Sequence, residues 1–232
     1  MESRRDRPAP RVRMTLAERK QQTRDALVLS ALETFARDGY HAASLETIAT
    51  DAGYSKGAIY SNFQGKAELF MAVLDFNLEQ LRGDDWDPFH PSEQTAADES
   101  ADIAESMVRG FSLATLEFIA TAARDDTLID ALRPRVQGVI DSYRRVAEAD
   151  RPADEQLPAD DVARLMTALD QGVSVLILSG VTEMNGALLR TGLRRLMDPH
   201  ADSNSAFHDD ADESALPDVE RVRRLIRDSR DR

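Results

Sequence analysis

The chain has 232 residues, with 29 Lys and Arg against 42 Asp and Glu, four His and no Cys, giving a formal net charge of −13. Without Cys there is no disulfide framework, thiolate zinc site, iron–sulfur cluster or cysteine nucleophile. Apolar residues make up 42% of the chain, enough for a packed core, while 31% charged residues keep the surface wet.

Five Arg and no apolar run in the first thirteen residues do not read as a secretory signal. The longest strongly apolar stretch, residues 173–178, is too short to span a bilayer. The expectation is a soluble, cytoplasmic protein with no membrane partner. Charge is unevenly placed. Residues 1–24 carry a net of +5, residues 25–70 a net of −3, and residues 71–232 a net of −15. A basic N-terminal end sits on an acidic body, a distribution that net charge alone conceals.

Almost every periodic stretch has the helical period, and none alternates like a strand. Residues 1–17 read as a basic arm, flexible where Arg, Pro and Ala show no periodicity. A capping box at Thr15 and Glu18 opens a helix. That helix buries Leu27, Ala31, Leu32 and Phe35, and Gly39 ends it. Ser44 caps a short helix carrying Leu45, Ile48, Ala49 and Ala52, with Glu46 in its first turn. Gly53 and Tyr54 interrupt, Ser55 caps a second short helix ending near Phe63, and a longer helix follows over 66–81.

Residues 81–101 are expected to be a linker. Helical periodicity returns over about 102–124. A further helix is expected to begin at Pro134, where the first helical position tolerates proline. Two more are expected over about 160–181 and 184–197. The predicted fold is all-α, with an N-terminal three-helix unit over 18–80 and a helical bundle over 102–199. Residues 200–232 are expected to be an acidic, largely disordered tail with a short helix near its end.

Two short capped helices around a tight glycine turn, over 44–63, form a helix-turn-helix in which the second helix can enter a major groove. Ile48, Ala49, Ile59 and Phe63 face inward. Lys56, Gly57, Ala58, Tyr60, Ser61 and Asn62 are expected to face outward. Over about residues 20–80 the chain resembles the TetR-type transcriptional regulators. The resemblance rests on Ala31, Phe35, Gly39-Tyr40, Ser44, Ile48-Ala49, Ala52-Gly53, the run Ser55-Lys56-Gly57-Ala58-Ile59-Tyr60, Phe63, Lys66 and Leu69. It implies a homodimer that binds a palindromic double-stranded DNA operator and is released by a small molecule held in the C-terminal half.

Several roles follow from the resemblance. Thr47 and Ser55 would donate to phosphates, and Lys56 and Gly57 would approach base edges. Tyr60 would contact a phosphate or thymine methyl, Ser61 and Asn62 the backbone or a base. Lys66, at the next helix N-terminus, would pin a phosphate. The chain departs from the common pattern at Ala58, Ser61 and Asn62, so reading through phosphates and DNA shape is expected. Arg11 and Arg13, with the arginines before them, would reach a minor groove, or else form a solubilising tail.

Residues 53–57 also match G-x-S-x-G, but that nucleophile elbow needs a preceding strand and none is present. The four His lie in loops and the tail without metal-ligand spacing, and there is no P-loop or dinucleotide fingerprint. No metal and no cofactor are expected. Met107, Phe111, Phe118, Tyr143 and Met166 are ligand-pocket candidates, with plain core as the alternative. Leu169, Val173, Leu176, Leu189, Leu193 and Leu196 are candidates for a four-helix dimer interface, with a monomeric core as the alternative. Two rival functions stay open: a DNA-binding regulator without a small-molecule inducer, and a helical enzyme, for which no catalytic constellation exists.

Overall fold

The computed structural model describes residues 15–81, 88–89, 99–152, 154–180 and 184–200. They form eight helices and no strand: α1 (Leu16–Ala42), α2 (Leu45–Asp51), α3 (Lys56–Asn62), α4 (Lys66–Leu81), α5 (Glu99–Ala122), α6 (Asp126–Asp150), α7 (Ala159–Ser179) and α8 (Gly186–Met197). The chain is therefore all-α, as its periodicity predicts. Residues 1–14 of the expected arm over 1–17, most of the expected linker and the acidic tail beyond residue 200 lie outside the described residues, whereas Leu16 and Ala17 are already helical because the Thr15 cap starts α1 there.

Local signals set the helix starts. The Thr15 N–H donates to the Glu18 carboxylate at 2.6 Å, and the Glu18 N–H donates to the Thr15 hydroxyl at 3.2 Å, closing the capping box. Thr15, chiefly through its backbone N–H, holds the Glu18 carboxyl below the ordinary carboxylate range. One expected start is wrong. Asp125 caps α6 by accepting from the Thr127 and Leu128 N–H groups, so the helix begins well before Pro134, which lies inside it. An interior proline removes one backbone hydrogen bond, and the rest of a 25-residue helix absorbs that loss.

The first core joins both halves of the chain. Phe35 and Tyr40 of α1 and Phe70 of α4 pack with Phe111 and Phe118 of α5. Phe70 stacks on Phe118 at 4.7 Å and on Phe111 at 5.4 Å between ring centroids, and meets Phe35 edge-on at 4.9 Å. The α1–α5 crossing is close. A Cβ on Gly110 would lie 2.0 Å from the Ala36 carbonyl oxygen, so no side chain fits there. Arg135 of α6 adds an ion pair to Asp75 of α4 at 2.6 Å.

A second core lies among α6, α7 and α8, built on Tyr143, Ala147, Val162, Met166, Leu193 and Met197. The five pocket candidates therefore do not converge. Phe111 and Phe118, with half-buried Met107 against them, belong to the first core, and Tyr143 and Met166 to the second. All but Met107 are packed closed, because each ring or thioether fills space between helices that the sequence alone could not pair.

The dimer-interface candidates also divide. Val173, Leu189 and Leu193 turn into the protomer's own second core, which corrects their assignment to an outer interface. Leu176 is exposed and Leu169 and Leu196 are half-buried, and Leu165, Val175 and Leu188 are exposed as well. A shallow open groove between α7 and α8 is lined by Leu165, Ala168, Leu169, Gly192, Arg195 and Leu196. As a whole, α7 is long and apolar enough to cross a membrane, although its longest apolar run is short. It packs instead as a core helix against α6 and α8, with Asp170 buried midway along it.

Candidate nucleic-acid interface

The turn between α2 and α3 closes on backbone hydrogen bonds. The Tyr54 N–H donates to the Ala49 carbonyl at 2.8 Å and the Gly53 N–H to the Thr50 carbonyl at 2.9 Å. This is the paired arrangement that ends a helix on a left-handed residue, and Gly53 supplies it with φ +77°. Ser44 caps α2 by accepting from the Glu46 N–H at 3.2 Å. Ser55 stands at the cap position of α3 but makes no side-chain cap bond, so its exposed hydroxyl is left to the surface.

Buried residues hold the pair from behind. Ile48 and Ala49 of α2, Ile59 of α3 and Phe63 just after it all enter the first core. Two side chains that sequence reasoning missed complete the support. Ser30 of α1, buried, donates to the Ile48 carbonyl at 2.9 Å. Arg24 of α1 donates to the Asn62 carbonyl at 3.0 Å and lies 4.3 Å over the Phe63 ring, holding the C-terminus of α3. Ser30 could have been found as a hydroxyl on the apolar stripe of Leu27, Ala31, Leu32 and Phe35. Nothing local marks Arg24, whose hydrogen-bond partner lies 38 residues away.

The outward face is smaller than expected. Tyr60 is 57% exposed, and Lys56, Gly57 and Ser61 are also exposed. Ala58, expected outward, is half-buried against the core, and Asn62 is half-buried too. Both polar side chains turn back on the helix. The Ser61 hydroxyl donates to the Ala58 carbonyl at 2.9 Å, and the Asn62 amide donates to the same oxygen at 2.8 Å. Thr47 is half-buried on α2. The Lys56 ammonium lies 3.6 Å from the Glu46 carboxylate across the two helices, an exposed pair that solvent screens.

Lys66 differs most from expectation. Its ammonium donates to the carbonyls of His41 at 2.8 Å and Ala43 at 3.2 Å, and lies 5.1 Å over the Tyr40 ring. Two of its three protons therefore bind the turn between α1 and α2 rather than standing free for a phosphate. Partial burial lowers its pKa from the usual lysine value. Arg11 and Arg13 lie outside the described residues. Among the described residues, no group of three His, Asp or Glu could hold a metal ion.

Comparisons with known proteins agree with this geometry. Residues 27–73, which run from within α1 to within α4, match the N-terminal domain described as bacterial regulatory proteins, tetR family. The chain is 40% identical over 62 residues to the HTH-type transcriptional activator FasR of Mycolicibacterium smegmatis, covering 27% of this chain and 28% of that protein. It is 28% identical over 136 residues to the HTH-type transcriptional repressor BepR of Brucella suis, covering 55% of this chain and 57% of that protein. These matches span well under two thirds of the relatives' length. In fold, the chain is similar to a protein from Rhodococcus sp. described as a TetR-family regulator, at 23% identity and TM-score 0.54, covering 77% of this chain and 98% of that one. Salmonella enterica GusR is similar at 22% identity and TM-score 0.52, with 76% and 95% covered.

Proposed function

The chain belongs to the TetR family of bacterial regulatory proteins, and from that premise we propose that it is a dimeric, small-molecule-responsive repressor of transcription. The observation that carries this reading is the outward face of α3, where Tyr60, Lys56, Gly57 and Ser61 are exposed on a helix fixed from behind by Ile59 and Phe63. Such a helix can enter a major groove with small side chains, close to the base edges. Two copies would read a palindrome, with the recognition helices about 34–36 Å apart or slightly more.

Residues 18–80 are assigned to DNA binding, and residues 102–199 to dimerisation and ligand response. The second copy packs on the apolar face of α7 and α8, where Leu165, Leu176 and Leu188 are exposed in a single protomer. Release follows when a ligand favours a dimer whose spacing misfits the operator, a coupling of about 1–3 kcal/mol. Such a protein works on DNA in the cytoplasm.

The test is the double variant Lys56→Ala, Tyr60→Ala. It should lose at least about tenfold in affinity for DNA enriched by the unaltered chain, at unchanged helicity. Unaltered affinity would remove α3 from the interface. A compound that both raises the melting temperature and releases the DNA identifies the ligand class. A chain that binds its DNA but responds to no compound favours the regulator without an inducer.

A further inference from the structure

The segment leading from the non-helical Gly39 near the end of α1 into α2 is held from two sides by charged side chains of opposite sign. From the α4 side, Lys66 donates to the His41 and Ala43 carbonyls. From the α5 side, the Glu117 carboxylate accepts the His41 backbone N–H at 3.0 Å. The other Glu117 oxygen fills the space above Gly39, where a Cβ would lie only 2.8 Å away. Gly39 has φ +79°, so this position favours glycine for its backbone and needs it for the approach of the carboxylate. Both backbone polar groups of His41, in successive peptide units, are thus bound by side chains from other helices. Ala43 directly precedes Ser44, the cap that starts α2.

We infer that Glu117 is a positioning residue for DNA binding: from the second half of the chain it fixes the turn that sets where α2 begins and how the α2–α3 pair is presented. The inference rests on the DNA-binding reading of that pair. Three observations converge on it. Glu117 is half-buried beside Phe118, which stacks on Phe70 in the shared core, so its helix cannot move without moving α4. Its negative charge attracts the Lys66 ammonium, partly opposing the lowering of the Lys66 pKa that burial imposes. Thr121, one turn further along α5, reaches the His41 ring at 3.5 Å. A displacement of α5 therefore reaches the start of α2 through the Glu117 bond to the His41 N–H, without passing through α3.

The experiment compares Glu117→Ala, Glu117→Gln and, as a same-helix control, Glu105→Ala, an exposed position. The glutamine amide oxygen can still accept the His41 N–H; alanine cannot. Two readings are taken: exchange of the His41 amide in the free full-length protein, and affinity for an enriched DNA fragment relative to random DNA. Glu117→Ala should speed His41 exchange and lower the specific-to-random affinity ratio, each by about tenfold, while Glu117→Gln and the control stay within about threefold. A merely structural contact would lower stability but leave the affinity ratio unchanged, and that result overturns the inference. Unchanged His41 exchange in Glu117→Ala overturns it as well. An unaltered chain that enriches no DNA defeats the functional reading instead, and the exchange result then decides alone whether Glu117 holds the turn.

Discussion

The α2–α3 pair and the α7–α8 pair are both two-helix units, but they give solvent opposite kinds of surface. In the first, two seven-residue helices bury Ile48, Ala49 and Ile59 and leave Lys56, Gly57, Tyr60 and Ser61 outside. In the second, helices of 21 and 12 residues bury Met166, Val173, Leu189 and Leu193 and still expose Leu165, Val175, Leu176 and Leu188. A small, mostly polar face on a braced helix suits a hydrated polyanion. Exposed apolar side chains suit another protein surface. Between them, α1, α4 and α5 share one aromatic core, and α6, which packs on both α4 and α7, links it to the second pair.

The largest predicted effect tests that shared core. Phe70→Ala removes the ring that touches Phe35, Phe111 and Phe118, and should cost about 3–5 kcal/mol of stability. Denaturant unfolding followed by circular dichroism should show one transition moved to lower denaturant. Two separated transitions would mean that the halves fold independently.

A pair of substitutions then separates inner from outer leucines. Leu193→Ala, at 1% exposure, should destabilise the protomer by about 2–5 kcal/mol. Leu176→Glu, at 40% exposure, should leave helicity intact and convert a dimer to monomers in sedimentation equilibrium. If Leu176→Glu sediments like the unaltered chain, the apolar face is not the dimer contact.

Smaller effects sharpen the bracing of α2–α3. Ser30→Ala loses its bond to Ile48, whose carbonyl keeps the Ala52 N–H, so denaturation should report a loss of about 1 kcal/mol. The smallest concerns the capping box. Since the folded state lowers the Glu18 pKa, the cap is fully formed above the ordinary carboxylate range and is lost as pH falls through the folded value. Amide shifts of Thr15 should follow that titration, and Glu18→Gln should flatten it. A titration at the ordinary glutamate value would contradict the observed cap.

What was legible in the sequence was local chemistry. Thr15 with Glu18, Ser44, and Gly53-Tyr54 place helix ends through bonds only two to five residues long, so the helix-turn-helix and the span of α4 were readable. Asp125 carried the same kind of signal for α6, and Pro134 masked it. Burial in the second half was not readable, because Val173 and Leu176 lie on neighbouring parts of one apolar surface. Which turns inward is decided by α6 and α8. The intramolecular partners of Lys66 are hidden for a similar reason. Its chain position suits a phosphate, but its partners come from residues 41 and 43, brought together only by the fold.

The central claim is tested most directly by footprinting DNA fragments that the full-length chain selects from its own upstream region and from random sequence, at about physiological salt, where non-specific binding is weak. The account predicts one protected palindrome, with half-sites about one helical turn apart or slightly more and protection lost in the Lys56→Ala, Tyr60→Ala variant. No enrichment over random fragments, or protection that survives that variant, would contradict it.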